Sequence, residues 1–118
     1  MSATEAVVKL SGRCHCGHVQ FNARGPVIKC SACDCRGCQR ATGTLSAPFV
    51  TVPRAGFAVT AGQATEFRAK GDAQCDQHGV WGFCAACGAP LYWKGHHGDE
   101  LDLLAGALDD PSVYTKSG

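Results

Sequence analysis

Hydrophobic and polar residues alternate with a period of two along most of the chain, as expected for strands with one buried face. Turn-forming residues such as Gly25-Pro26 and Ala61-Gly62 separate these short segments. The alternation predicts seven strands, at residues 19–23, 47–52, 57–60, 65–69, 80–83, 91–93 and 101–105. Several short strands separated by such turns predict a mainly β fold of antiparallel strands.

One segment departs from the period of two and is predicted to be helical. Arg36–Thr42 forms about two turns, and Gly43 follows where a helix commonly ends in a left-handed residue. A helix this short depends on tertiary contacts for its stability. The chain has 118 residues and no repeat or linker, so residues 1–118 are predicted to form a single domain with a small core. The polar residues 72–79 are predicted to form a loop.

Charge and composition argue against several functions. Eleven basic and ten acidic residues give a net charge of +1, which argues against nucleic-acid binding because that needs clustered cations. No apolar run approaches the ~18 residues of a membrane span. The first residues lack the basic and apolar stretches of a secretory signal. We therefore expect a cytoplasmic protein with neither nucleic acid nor membrane as a partner.

The nine cysteines are the unusual feature of the composition. Their number is odd, and the expected compartment keeps thiols reduced, so a disulfide framework is disfavoured. Most of them are separated by one or two intervening residues, a spacing at which a direct disulfide is strained but convergence on a metal ion is natural. The sequence therefore predicts metal binding.

The first group consists of two short-spaced pairs that are distant in the chain: Cys14, Cys16, Cys84 and Cys87. A glycine follows each pair, Gly17 and Gly88, and glycine tolerates the positive φ of a metal-binding turn. Four thiolates from two turns predict a closed, tetrahedral structural zinc site. Such a site is expected to supply much of the stability of so small a domain.

The second group spans nine residues and contains Cys30, Cys33, Cys35 and Cys38. Cys33, Cys35 and Cys38 alone give three ligands and an open fourth position, the arrangement of a catalytic zinc. If Cys30 also binds, the site is closed and structural. Arg36, Arg40 and the start of the helix are candidates to offset the thiolate charge. A three-ligand site holds metal less tightly, so we expect its zinc to be labile and its thiols to be open to oxidation.

Four segments in order resemble the glutathione-dependent formaldehyde-activating enzyme family, at residues 12–21, 33–43, 82–91 and 105–111. The resemblance implies a zinc-bound β-tent fold with two zinc ions. It implies a structural zinc held by the first group, and a catalytic zinc held by Cys33, Cys35 and Cys38. Cys30 precedes this trio, so we expect it to lie close to the second metal without being a required ligand.

The resemblance also implies a carbon–sulfur lyase similar to S-(hydroxymethyl)glutathione synthase, with glutathione as the thiol and formaldehyde as the carbonyl compound. The proton donor is left open among His78, His96 and His97. Cys75 has no partner by spacing and is interpreted as a free thiol. Three alternatives are a non-catalytic zinc-stabilised binding module, a zinc ribbon that binds nucleic acid, and an iron–sulfur protein. The cysteine spacing does not match the usual ferredoxin patterns.

Overall fold

The computed structural model describes residues 8–69, 79–95 and 98–114. The described residues form nine strands and one α-helix: β1 Val8–Arg13, β2 Gln20–Gly25, β3 Lys29–Cys33, α1 Arg36–Thr42, β4 Ala47–Pro53, β5 Phe57–Ala61, β6 Thr65–Arg68, β7 Val80–Phe83, β8 Pro90–Lys94 and β9 Glu100–Leu104. Single 3₁₀ turns occupy Arg54–Gly56, Ala105–Ala107 and Pro111–Val113. None of the helices in these ranges is long and apolar enough to cross a bilayer.

The described strands form two antiparallel sheets. The smaller sheet has the strand order β1-β2-β5, and the larger has the order β3-β4-β9-β8-β7-β6. A single bridge, Gly12 to Leu108, joins β1 to the segment that follows β9. The mainly β prediction is therefore confirmed.

The main core lies between the two sheets. Phe21 of β2 is buried together with Val50, Leu101 and Leu103 of the larger sheet. Phe57 connects the sheets, with its ring 5.5 Å from the ring of Phe21 and 5.0 Å from that of Tyr92. Burial of each large side chain contributes roughly 1.5–3 kcal/mol.

The larger sheet carries a second apolar cluster on its other face, which we call the outer face. It comprises Cys38, Ala47, Phe49, Trp81 and Leu104. The two strands that carry Phe49 and Trp81 are separated by β9 and β8, a span of about 14 Å in a flat sheet. Their ring centroids are nevertheless only 6.2 Å apart. The two side chains converge above the intervening strands, which indicates that the sheet curls toward this face.

The seven predicted strands are all present with shifts of one or two residues, and the helix has the predicted bounds. Gly43 ends the helix with φ 74° and donates its N–H to the carbonyl of Gln39. Two strands were not predicted, β1 and β3. In β3 the alternation is carried by cysteine and alanine rather than by β-branched or aromatic residues, so the pattern is weak. The predicted loop at 72–79 lies outside the described residues except for Gly79.

Gly12 is required by the close approach of β1 to two neighbours. A Cβ atom at this position would collide with the backbone carbonyl of Ala107 and with the ring of Phe21. We expect Gly12→Ala to lower the free energy of unfolding by about 1–3 kcal/mol. Gly106→Ala is the matched control, because nothing lies within 4 Å of its added Cβ. Equal denaturant midpoints for the two variants would contradict this packing.

Candidate metal centres

Two short turns build the first cluster. One turn follows β1 and carries Cys14, and the other joins β7 to β8 and carries Cys84. Gly17 and Gly88 adopt φ values of 84° and 80°, so their N–H groups reach back to the carbonyls of Cys14 and Cys84 at 3.1 and 2.6 Å. The trailing glycines therefore allow two similar turns to face each other.

The sulfurs of this cluster fit a tetrahedral zinc. All four Sγ atoms, from Cys14, Cys16, Cys84 and Cys87, lie within 4.8 Å of one another. The Cys14–Cys16 and Cys16–Cys84 sulfur distances are 3.7 and 3.8 Å. Zinc–sulfur bonds of about 2.3 Å at tetrahedral angles place sulfurs about 3.8 Å apart. The donor set and its spacing are those of a closed zinc site.

The electrostatics of the first cluster differ from sulfur to sulfur. Hydrogen bonds from the backbone N–H groups of Ala89 and Cys16 lower the pKa of Cys87 to about 6. Burial opposes ionisation of Cys14, but the N–H of Val19, 3.3 Å from its sulfur, and the thiols of Cys84 and Cys16 lower its pKa. For Cys16, a backbone hydrogen bond from His18 is outweighed by desolvation and by the adjacent sulfurs, and the pKa rises to about 11. Four thiolates this close repel one another unless a cation offsets their charge.

The second cluster lies where β3 meets the helix. Cys33 ends β3, Cys35 occupies the N-cap position of α1, and Cys38 lies in its first turn. Their three Sγ atoms lie within 4.8 Å of one another. Cys35 is disulfide-bonded, whereas Cys33 and Cys38 form no disulfide. Because metal binding needs thiolates, the trio becomes a three-ligand site only when Cys35 is reduced.

The surroundings of the trio are apolar on the side of the sheet and charged on the side of solvent. Cys38 is buried within the outer-face cluster, and Cys33 and Cys35 pack against it. Arg36 and Arg40 are exposed on the helix, and the Arg36 guanidinium donates to the side chain of Gln39. Solvent screens both of these charges, so their effect on the sulfurs is weaker than the sequence indicated.

Cys30 does not join the second cluster. Cys30 and Cys33 are three residues apart in β3, and successive side chains of a strand point to opposite faces. Cys30 is accordingly buried in the core between the sheets, where its sulfur lies 3.7 Å from the carbonyl oxygen of Val113. The expectation that Cys30 lies close to the second metal was wrong, because the strand turns it away.

We expect Cys30→Ala to leave the metal content of the second cluster unchanged, since its sulfur is on the opposite side of the sheet. Metal analysis of the reduced, zinc-loaded variant, compared with the parent, measures this directly. Cys33→Ala is the matched comparison within the same strand and should lose the second metal. Loss of one zinc on substitution of Cys30 would restore the closed, structural interpretation.

Several candidates from the sequence lie outside the described residues, namely Cys75, His78, His96 and His97. Sequence reasoning also missed polar residues on the outer face. Asp102 lies between Leu101 and Leu103 in β9, and it points away from the core that they enter. The alternation of Leu101, Asp102 and Leu103 could have indicated that Asp102 lies on the face opposite the core.

Comparison with known proteins shows the family of the chain. The family model described as "Glutathione-dependent formaldehyde-activating enzyme" matches residues 9–117. The chain belongs to this family. The match includes both cysteine clusters and every described strand from β2 to β9.

Among solved structures, the chain is similar to a crystal structure of a Rhodobacter sphaeroides protein determined by the Northeast Structural Genomics effort. The TM-score is 0.67 at 22% sequence identity, and the alignment covers 87% of this chain and 93% of the other. At this identity the likeness establishes the fold alone. No curated protein matches the chain.

Proposed function

We propose that this chain is a zinc-dependent enzyme that adds glutathione to formaldehyde, giving S-(hydroxymethyl)glutathione. The observation that carries the proposal is the difference between the two clusters: among the described residues, one offers four sulfurs and the other offers three. Three protein ligands leave a fourth position for substrate, whereas four close the site. The family match supports glutathione as the thiol and formaldehyde as the carbonyl compound.

The two clusters have separate roles in this proposal. Cys14, Cys16, Cys84 and Cys87 hold a structural zinc that connects the turn after β1 to the β7–β8 turn. Cys33, Cys35 and Cys38 would hold the catalytic zinc, whose chemistry would be to lower the pKa of a thiol in the fourth position and so make that thiol nucleophilic at neutral pH. The apolar outer-face cluster beside Cys38 limits the access of water to that position.

The reaction is an addition and needs no oxidant or reductant. A bond forms between the glutathione sulfur and the formaldehyde carbon while the carbonyl π bond opens. The proton released by the thiol ends on the carbonyl oxygen. The reverse reaction breaks the same carbon–sulfur bond, which defines a carbon–sulfur lyase. Because the trio works only with Cys35 reduced, we place the enzyme in the reducing cytoplasm.

The experiment is a rate measurement on protein reduced with a phosphine and loaded with zinc. Formaldehyde and glutathione combine spontaneously, so the rate with enzyme is compared with the rate without it. We expect acceleration by the parent and by Cys30→Ala. If both zinc ions bind and the rate stays at background, the protein is a zinc-stabilised binding module and the enzyme proposal is wrong.

A further inference from the structure

A row of side chains crosses the outer face of the larger sheet at a distance from the sulfur trio. Strand register aligns Lys29 with Thr51, Thr51 with Asp102, and Asp102 with Trp93. Directly paired residues point to the same face, so the row shares its face with Phe49 and Leu104 of the apolar cluster. A polar site therefore lies on the same surface as the trio.

Asp102 is the unusual member of this row. The Thr51 hydroxyl donates to its carboxylate at 2.5 Å, and Thr51 itself is fully buried. Among the described residues, no Lys, Arg or His lies within 4 Å of the Asp102 carboxylate. Asp102 is thus a half-buried carboxylate whose charge is not neutralised by an ion pair.

The charged groups around Asp102 do not neutralise its carboxylate. Burial raises the pKa of the Asp102 carboxyl, and the charge of Glu100 on the same strand adds to that effect. The Thr51 hydroxyl and the more distant Lys29 ammonium act in the opposite direction but do not compensate. A bound cation would stabilise the ionised carboxylate at this position.

The distance between the trio and the row suits one substrate. Lys29 and Cys33 lie four residues apart on the same face of β3, which corresponds to about 13 Å. Asp102 lies two residues, or about 7 Å, from Leu104, which packs in the same cluster as Cys38. In extended glutathione, the sulfur and the α-amino group of the γ-glutamyl residue are separated by roughly 9 Å, from standard bond lengths. The glutathione molecule is shorter than the distance along the strand. The difference would be filled by the zinc–sulfur bonds at one end and by the Lys29 and Asp102 side chains at the other.

We propose that Lys29, Thr51 and Asp102 form a subsite for the amino-acid end of the γ-glutamyl group of glutathione. Asp102 accepts hydrogen bonds from the α-ammonium, Thr51 orients the Asp102 carboxylate, and Lys29 pairs with the α-carboxylate. This inference rests on the proposed function, because the trio must hold the sulfur of the same molecule. Binding here is noncovalent, and the subsite discriminates glutathione from simple thiols.

The test compares glutathione with desamino glutathione, in which hydrogen replaces the α-ammonium group. Calorimetric titration into reduced, zinc-loaded parent protein should show glutathione binding about tenfold or more tightly, as expected for a charge-assisted hydrogen bond to a half-buried group. In Asp102→Asn this preference should disappear, while the affinity for desamino glutathione stays close to that of the parent. The new amide can still accept from Thr51, so the fold is expected to persist.

Asp99→Asn is the matched control, because it removes the same charge from an exposed position just before β9. It should keep the preference of the parent. Equal binding of both thiols by the parent would overturn the subsite and leave the proposed function standing. Equal weakening of both thiols by Asp102→Asn would assign the residue a structural role and also overturn the subsite. A parent that binds neither thiol would overturn the proposed function itself.

Discussion

Replacing Cys87 with serine is expected to leave the protein largely unfolded under conditions in which the parent is folded. The reason is a comparison of magnitudes. A closed thiolate site contributes about 10–16 kcal/mol of metal-binding free energy at neutral pH. The net stability of a domain is only about 5–15 kcal/mol. Loss of one of the four sulfurs therefore weakens a contribution that is as large as the net stability of the fold.

Circular dichroism and metal analysis together measure this outcome. The expected result for Cys87→Ser is the loss of the cooperative thermal transition and of the structural zinc. Cys33→Ser is the matched control, because it removes one sulfur from the other cluster and should melt close to the parent with one zinc. A Cys87→Ser variant that melts like the parent with two zinc ions bound would contradict the structural role of the first cluster.

Replacing Cys38 with serine is expected to abolish catalysis without unfolding the protein. Cys38 is one of three sulfurs that the described residues bring together in its cluster, so the variant keeps two of them, and we expect metal binding to weaken sharply. Metal activation of a nucleophile is worth several kcal/mol, so we expect the enzymatic rate to fall by roughly a hundredfold or more. The measurement is the rate above the spontaneous background, with thermal melting as the check on folding.

A comparison of Cys38→Ser with Cys30→Ala tests whether Cys38 is needed for catalysis. Cys30→Ala removes a different buried sulfur, which lies in β3, and this variant should retain the rate of the parent. If Cys38→Ser also keeps the parent rate, the trio is not the catalytic site. The reductant must be present throughout, because Cys35 serves as a ligand only when reduced.

The sequence was sufficient for much of the fold and for the grouping of the cysteines. Alternation predicted the strands whose inward positions are large and apolar, such as Leu101 and Leu103. The helix followed from Gly43, because a left-handed residue ends it. The first cluster followed from the spacing of its pairs, since each pair lies within a single local turn.

What the sequence left open depended on strand register and on strands that its pattern did not predict. Because β3 was not predicted, the cysteine spacing could not place Cys30 and Cys33 on opposite faces of a strand. A second metal site with Cys30 as its fourth ligand therefore remained an alternative. The contact between Phe49 and Trp81 requires the curl of the whole larger sheet. The row that contains Thr51 and Asp102 likewise forms only after β4 and β9 pair in one register.

The most direct measurement of the central claim is zinc-edge X-ray absorption on reduced, two-zinc protein, with and without glutathione. In the proposed function, the second cluster reserves one zinc position for the sulfur of the substrate. With four sulfurs in one cluster and three in the other, the free protein should average about 3.5 sulfurs per zinc. Glutathione should raise the average to about 4 sulfurs per zinc, because its sulfur replaces the oxygen or nitrogen ligand in the fourth position. An average that stays unchanged at saturating glutathione would contradict the claim.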